Sequence, residues 1–439
     1  MPSANEQGNT EQILLKVPKI SHNHTNSTAT DYPLSASSGD HPESTYSGND
    51  HVLKPHQPAT LRTAVRAIIT SSYINVLLVF VPLGFISNFM WGSTVTFVLN
   101  FLAIIPLAKL LGFATEDLAI RVGETLGGLL NATFGNAVEL IISVIALTKG
   151  LVIVVQASML GSILSNLVFV MGFCFFFGGL YYKEQAFNIT AAQTSASLMA
   201  IATCSLLLPA AFYSSLSKAN YPADQVQGDI LDISHATAVI LLIIYGGYLF
   251  FQFNAAPTSE SQADEAGPDE EPEEAEEPQM PLWVAIVLLV VITVLVAFCA
   301  EFLVGAIDDI VDQWHLTQTF VGLILLPIVG NAAEHVTAVT VALKNKMDLA
   351  IGVAIGSSMQ IALLVTPLMV IIGWGINVPM TLYFNVYETA VMFISVLIVN
   401  YLINDGKSNW LEGLMLLGVY LIIAISFFYY PDISTESSK

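Results

Sequence analysis

Gly135-Asn-Ala-Val-Glu139 and Gly330-Asn-Ala-Ala-Glu334 are two copies of one five-residue pattern, set 195 residues apart. The same offset, with no gap, pairs Gly127 with Gly322, Leu130 with Leu325, Lys149 with Lys344, Gly161-Ser162 with Gly356-Ser357 and Asp117 with Asp312. So many matches at one spacing mark an internal repeat. Each copy also sets a carboxylate in the middle of a long apolar run.

The rest of the chain says what kind of apolar run this is. Of 439 residues, 54% are hydrophobic and only 11% charged, against about 25% charged in soluble domains. A bilayer span takes ~20 apolar residues. Runs divided by polar breaks give eleven of them: roughly 70–88, 93–112, 127–148, 151–179, 189–213, 233–253, 281–304, 319–343, 349–373, 380–402 and 410–430. The expected fold is an all-α polytopic membrane protein, which excludes a soluble enzyme. Cys174, Cys204 and Cys299 lie inside apolar runs and form no disulfide framework.

The net charge of −21 is local, because 10 of the 35 acids sit between Glu260 and Glu277 with no Lys or Arg among them. No basic patch with interleaved aromatics supports nucleic-acid binding. Lys and Arg in alternate loops divide 11 to 3 when the N-terminus is placed inside, which sets the N-terminus in the cytosol and the C-terminus across the membrane. The expected layout is a disordered tail at 1–65, a first transmembrane helix at 66–92, one repeat at 93–254, an acidic cytosolic linker at 255–280, a second repeat at 281–432 and a short tail at 433–439. Five tail histidines are scattered without zinc-ligand spacing. The acidic stretch reads as a solvated linker, or as a low-affinity regulatory Ca²⁺ collector through Glu270, Glu271, Glu273, Glu274, Glu276 and Glu277.

Five spans separate the two copies, and an odd number inverts direction in the membrane. That is the plan of secondary transporters with a binding site near the midplane. A charge there costs at least ~2.5–3.5 kcal/mol, so Glu139 and Glu334 at matched positions argue for a common functional centre. Gly135 and Gly330, directly ahead of Asn136 and Asn331, permit backbone unwinding that aims carbonyl oxygens at the same point. Ca²⁺ takes six to eight oxygens, and two carboxylates supply at most four. Side chains of Asn136 and Asn331 and backbone carbonyls can add to these. Ser162 with Ser165, and Ser357 with Gln360, recur at i, i+3 in the following spans, as lining groups or as hydrogen bonds between helices. Gln156 has only Ile351 as its counterpart. One divalent cation or two protons would neutralise the glutamate pair, whereas leaving both bare is costly. That asymmetry ties movement of one ion to counter-movement of the other.

With these residues in view, the region of about residues 60–432 resembles the vacuolar Ca²⁺/H⁺ exchangers of fungi and plants, the cation/proton exchanger branch of the Ca²⁺:cation antiporter superfamily. The marks are the paired Gly-Asn-Ala-x-Glu signatures, the Gly-Ser elements at 161 and 356, and the acidic connection after the sixth span. The resemblance implies one extra helix followed by two inverted five-helix repeats. It also implies H⁺-driven removal of cytosolic Ca²⁺ into an acidic vacuole, with Mn²⁺ carried by some members and no cofactor beyond the transported ions. Glu139 and Glu334 match the family's ion-binding glutamates, and Asn136, Asn331, Ser357 and Gln360 match neighbouring pocket positions.

Further acids mark approach paths or ordinary hydrated faces. Glu116 and Glu124 share one face of a short cytosolic segment, with Asp117 spaced to pair with Arg121. On the opposite side Glu301, Gly305, Asp308 and Asp312 follow a helical stripe. Glu388 is a separate intramembrane acid with a structural or proton-related role. His335 suits proton coupling by its titration range, or packing, since adjacent helix residues diverge by about 100°. A Na⁺/Ca²⁺ exchanger shares the architecture, a channel would use rings of residues from several subunits, a metalloenzyme lacks a His-Glu-x-x-His motif, and a Ca²⁺-sensing scaffold leaves the matched glutamates unexplained.

Overall fold

Apolar runs of this length fold as helices in a bilayer because only a helix satisfies its own backbone there. The computed structural model describes residues 61–217, 222–255 and 278–432, and within them it is helical apart from short connections. The tail, the linker carboxylates Glu270 to Glu277 and residues 433–439 lie outside the described residues, as does the side chain of Glu124.

Among the described residues nine helices are long and apolar enough to cross a membrane. They are Tyr73–Met90, Ser93–Val122, Val152–Tyr181, Ala192–Leu216, Gln225–Phe251, Leu282–Trp314, Met347–Ile376, Val386–Asp405 and Trp410–Phe428. A bent pair, Gln318–Gly330 with Ala332–Leu343, makes a tenth span, broken by 57°. The run expected at 127–148 is likewise two helices, Glu124–Phe134 and Ala137–Thr148. The second of these, at 12 residues and ~1.5 Å per residue, covers only part of a bilayer. Below, spans are numbered in chain order with this broken pair as the third and the bent pair as the eighth.

The repeat survives folding. Shifting Ala137–Thr148 by 195 residues gives Ala332–Leu343, and shifting Val152–Tyr181 gives Met347–Ile376, bound for bound. The fourth and ninth spans also each carry a stretch of π-helix, Ser165–Val170 and Ile361–Val365, a winding often found at functional sites. The fourth span is the most buried of the nine: 72% of its most apolar stretch is buried, against 56% for the ninth and 17% for the first.

Several boundaries differ from the sequence expectation. The second span does not stop near 112 but continues to Val122, so Glu116 belongs to it and no separate cytosolic segment precedes Gly123. The polar residues that suggest a break are used internally: Asp117 pairs with Arg121 at 3.3 Å and accepts hydrogen bonds from the backbone of Gln279 and Met280. Asp117 thus staples the start of the second half to the second span. A helix at Leu61–Thr70 precedes the first span, whose own start is capped by Ser72. Glu388 lies not mid-span but in the first turn of Val386–Leu402, where it and Asn385 form a reciprocal capping box, a structural use of the carboxylate. Two-residue strands, Gln185–Ala186 and Lys407–Ser408, pair antiparallel and tie the loop after the fourth span to that after the tenth. The three cysteines are free thiols.

Candidate ion-binding site

The two Gly-Asn signatures are where the third and eighth spans break. Asn136 and Asn331 leave helical geometry at φ −103°, ψ 24° and φ −87°, ψ 11°. After each break a new helix begins, and its first turn holds Glu139 or Glu334. The positive end of a half-helix therefore faces each carboxylate, which favours negative charge there, while the C-terminal carbonyls of the preceding half-helix end at the same level. The broken spans so present anionic oxygens and backbone oxygens together.

The two signatures meet. A Cβ placed on Gly330 would stand 2.8 Å from Glu139 Oε1, so the carboxylate of one repeat lies on the bare backbone of the other repeat's signature. Glu139 is buried, 3% exposed, and neither of its carboxylate oxygens has a hydrogen-bond partner. Oε2 of Glu334, both polar atoms of Asn331 and the hydroxyls of Ser162 and Ser143 are also buried and unpartnered, as is Oδ1 of Asn166. A buried polar group left alone costs about 1–3 kcal/mol, and a charged one more. Several such oxygens on stretches that pack together match the donor set of a hard cation.

The other half of the centre is satisfied internally. Asn166 Nδ2 donates to Ser357 Oγ at 3.0 Å, Ser357 donates to Asn136 Oδ1 at 3.2 Å, and Asn136 Nδ2 donates to Gln360 Oε1 at 2.6 Å. Asn136, Ser357 and Gln360 are thus brought together as expected, through hydrogen bonds between spans. Asn166 and Ser143 were missed by the sequence reading. The counterpart of Asn166 is Ile361, so a search by symmetry passes over it, yet its i, i+4 spacing from Ser162 was a usable signal. His335 turns its Nε2 to Ser165 Oγ at 3.2 Å and its ring to Phe169, a contact with the fourth span. Gln156 does not reach the centre: its Nε2 donates to Thr381 O, Thr381 Oγ1 and Tyr383 O, anchoring the loop before the tenth span.

A cavity of about 170 Å³ leads to this centre, lined by Lys109 and Glu116 of the second span, by Asn131 and Gly135 of the third, and by Gly330, Glu334 and Thr337 of the eighth. Glu116 therefore stands on an approach to Glu334. The acids on the other face are used singly. Glu301 pairs with Lys149 at 2.8 Å, Asp308 accepts from Gln318, and Asp312 is exposed. Glu301, Lys149 and Gly305 line a second pocket of about 280 Å³ that contains neither glutamate of the centre.

Backbone packing explains why the first cavity opens where it does. Gly161 lies so near the eighth span that a Cβ would stand 2.1 Å from Leu323 O, and one on Gly322 would stand 2.7 Å from Ala157 Cβ and 2.8 Å from Val154 O. The counterpart crossing is loose. Gly356 has nothing within 4 Å, and Gly127 packs on Ala119 of the second span instead.

A bundle of apolar helices, with two broken spans meeting at paired glutamates, defines a membrane ion exchanger. The chain belongs to the family described as sodium/calcium exchanger protein, whose model matches residues 92–254 and 284–429. It is 50% identical over 369 residues to a vacuolar calcium ion transporter of Schizosaccharomyces pombe, covering 84% of this chain and 87% of that one. It is 46% identical over 374 residues to a Ca²⁺/H⁺ antiporter of Synechocystis, covering 83% and 99%. Among solved structures, a crystal structure of the Ca²⁺/H⁺ antiporter YfkE matches with TM-score 0.67 at 37% identity, covering 81% of this chain and 99% of that one.

Proposed function

We propose that this protein is a secondary antiporter of the vacuolar membrane that moves Ca²⁺ out of the cytosol in exchange for H⁺, by alternating access to a site at Glu139 and Glu334. The observation that carries the reading is the set of partnerless carboxylate oxygens on the two glutamates, buried where two half-helices begin. Similarity to proteins named as calcium transporters and Ca²⁺/H⁺ antiporters supports the choice of ions.

The mechanism follows from charge. Two carboxylates in a poorly hydrated cavity are neutralised by one Ca²⁺ or by two protons, and the bare pair is disfavoured in transit. Loaded and protonated forms then interconvert between faces, while the empty anionic form does not. Gly135, Gly330, Asn136, Asn331, Ser162, Ser357 and Gln360 supply or position the remaining oxygens, and His335 supports the pocket from the side of the fourth span. On this reading the third and eighth broken helices each count as one span, giving eleven with the repeats at 93–254 and 281–432. The Lys and Arg distribution sets the N-terminus and the Lys109 cavity on the cytosolic side, with Glu116 and Glu124 near that approach and Glu301, Asp308 and Asp312 at the lumenal face. The acidic stretch at 255–280 acts as a solvated linker or as a low-affinity regulatory Ca²⁺ collector.

The test is Ca²⁺ uptake by purified protein in liposomes with an acid interior. Uptake that vanishes when an ionophore collapses the pH gradient, and that a Na⁺ gradient does not restore, supports the reading. Uptake that persists without any counter-ion gradient refutes it in favour of a channel. Competition by Mn²⁺ in the same vesicles tests the second cargo.

A further inference from the structure

An ammonium group stands on the approach to a cation site. Lys109 lines the cavity that reaches Glu334, together with Glu116 and Thr337. Its Nζ donates to Thr337 Oγ1 at 3.2 Å, and Thr337 is one helical turn beyond Glu334 on the same half-helix. The bond is to a neutral hydroxyl, and the charge of Lys109 acts on Glu334 in opposition to that of Glu116. An approach evolved only to gather cations would carry carboxylates and no fixed ammonium.

We infer that Lys109 is a tethered competitor for the transported cation, which occupies the approach to Glu334 in this access state and sets the Ca²⁺ concentration at which this face loads. The inference rests on the exchange reading above. With no cation bound, Glu334 at the end of this cavity and the buried Glu139 are both poorly hydrated, and a nearby ammonium offsets part of their repulsion. An arriving Ca²⁺ must displace that ammonium or tolerate it, and either weakens binding.

The repeat shows that the device belongs to one route only. At the same 195-residue offset Lys109 corresponds to Val304 and Thr337 to Ile142, and both of these are buried in the apolar core. At the mirrored positions the other face thus has neither the ammonium nor its anchor, and the ammonium that does line the pocket there, Lys149, is paired with Glu301. Two faces with otherwise matched ligands would then load at different Ca²⁺ concentrations, the face that carries Lys109 at the higher one.

The experiment uses sealed membrane vesicles carrying the full-length protein with its cytosolic face outward, an acid interior, and Ca²⁺ added outside. Initial uptake is measured for wild type, Lys109→Met, Lys109→Arg and Thr337→Val. We expect Lys109→Met to lower the half-saturating external Ca²⁺ by about two- to fivefold, the scale of one partly exposed charge interaction. Lys109→Arg stays near wild type, and Thr337→Val shifts in the same direction by less. Half-saturation from the inside, read as Ca²⁺-driven proton uptake in Ca²⁺-loaded vesicles, should be unchanged in all three. If Lys109 only tied the second span to the eighth, its loss would reduce uptake at saturating Ca²⁺ without improving affinity. An unchanged or raised half-saturating Ca²⁺ in Lys109→Met, with uptake still measurable, overturns the inference. If Lys109→Met yields no folded protein, Thr337→Val decides it by the same criterion. A wild type that shows no pH-driven uptake overturns the exchange reading itself, a different result from a working wild type that Lys109→Met leaves unaltered.

Discussion

Replacing Gly330 by alanine isolates the contact on which the site depends. The added Cβ would stand 2.8 Å from Oε1 of Glu139 and 3.2 Å from its Cδ and Cγ, whereas ordinary contact begins at 3.4 Å. The carboxylate must therefore retreat by about 0.6 Å, and it is the side chain that yields, because Gly330 is fixed within a helix and Glu139 ends in a rotatable group. Overpacking of this kind costs about 1–3 kcal/mol, which a bundle with so extensive a core can absorb. Ion coordination is less forgiving, since ligand distances must hold to about ±0.2 Å and a misplacement near 1 Å can cost 10²-fold. Gly330→Ala should thus be recovered as folded protein while its pH-driven Ca²⁺ uptake falls by about one to two orders of magnitude. Gly352→Ala in the ninth span, where nothing lies within 4 Å of the added carbon, is the control and should transport normally. Wild-type rate and half-saturation in Gly330→Ala would refute the argument that Glu139 on the Gly330 backbone is the working geometry.

Three further outcomes are expected. Glu139→Gln and Glu334→Gln should each lose exchange to background while keeping the wild-type elution profile in detergent, because an amide removes the charge that one Ca²⁺ or two protons must cancel; normal uptake by either variant would remove the central claim. Gly161→Ala should destabilise this conformation by about 1–3 kcal/mol, since its Cβ meets Leu323 backbone at 2.1 Å, whereas Gly356→Ala meets nothing; thermal unfolding in detergent that moves equally for both would contradict the loose and tight crossings. Gln156→Ile, which installs the residue found at the counterpart position, should cost about 1–3 kcal/mol by leaving the 381–383 loop unsatisfied, yet leave the half-saturating Ca²⁺ where it is; a large change in affinity would mean that Gln156 touches the ion.

The two breaks were legible in sequence because a repeat without gaps keeps register, so the glycine-asparagine pairs and the glutamates that follow them align at one offset. Element bounds at the same offset show how far that register extends. The second span was read too short because Glu116, Asp117 and Arg121 look like a loop when counted by hydropathy alone; a cavity wall and an internal staple are tertiary uses of polar residues that composition cannot distinguish from exposure to water. The π-helical stretches carry no local signal, since SNLVFV and IALLV are ordinary apolar runs and the wider winding is imposed by packing. Glu388 was placed within the membrane by the length of its apolar run, whereas Asn385 three residues earlier marked it as a cap.

The coincidence of element bounds in the two halves also bears on energetics. A second state, in which each half adopts the arrangement now held by the other, would contain the same kinds of contacts between the same kinds of elements. Two such states begin near parity in free energy, whatever their absolute stability. Parity matters because about 5.5 kcal/mol suffices to move a two-state equilibrium from 1:99 to 99:1, so a carrier with a larger built-in preference would idle in one state. Duplication of an ancestral half supplies that balance without tuning. The resting bias then falls to the positions where the halves have diverged, such as Leu323 against Gly128, His335 against Leu140 and Gln360 against Ser165.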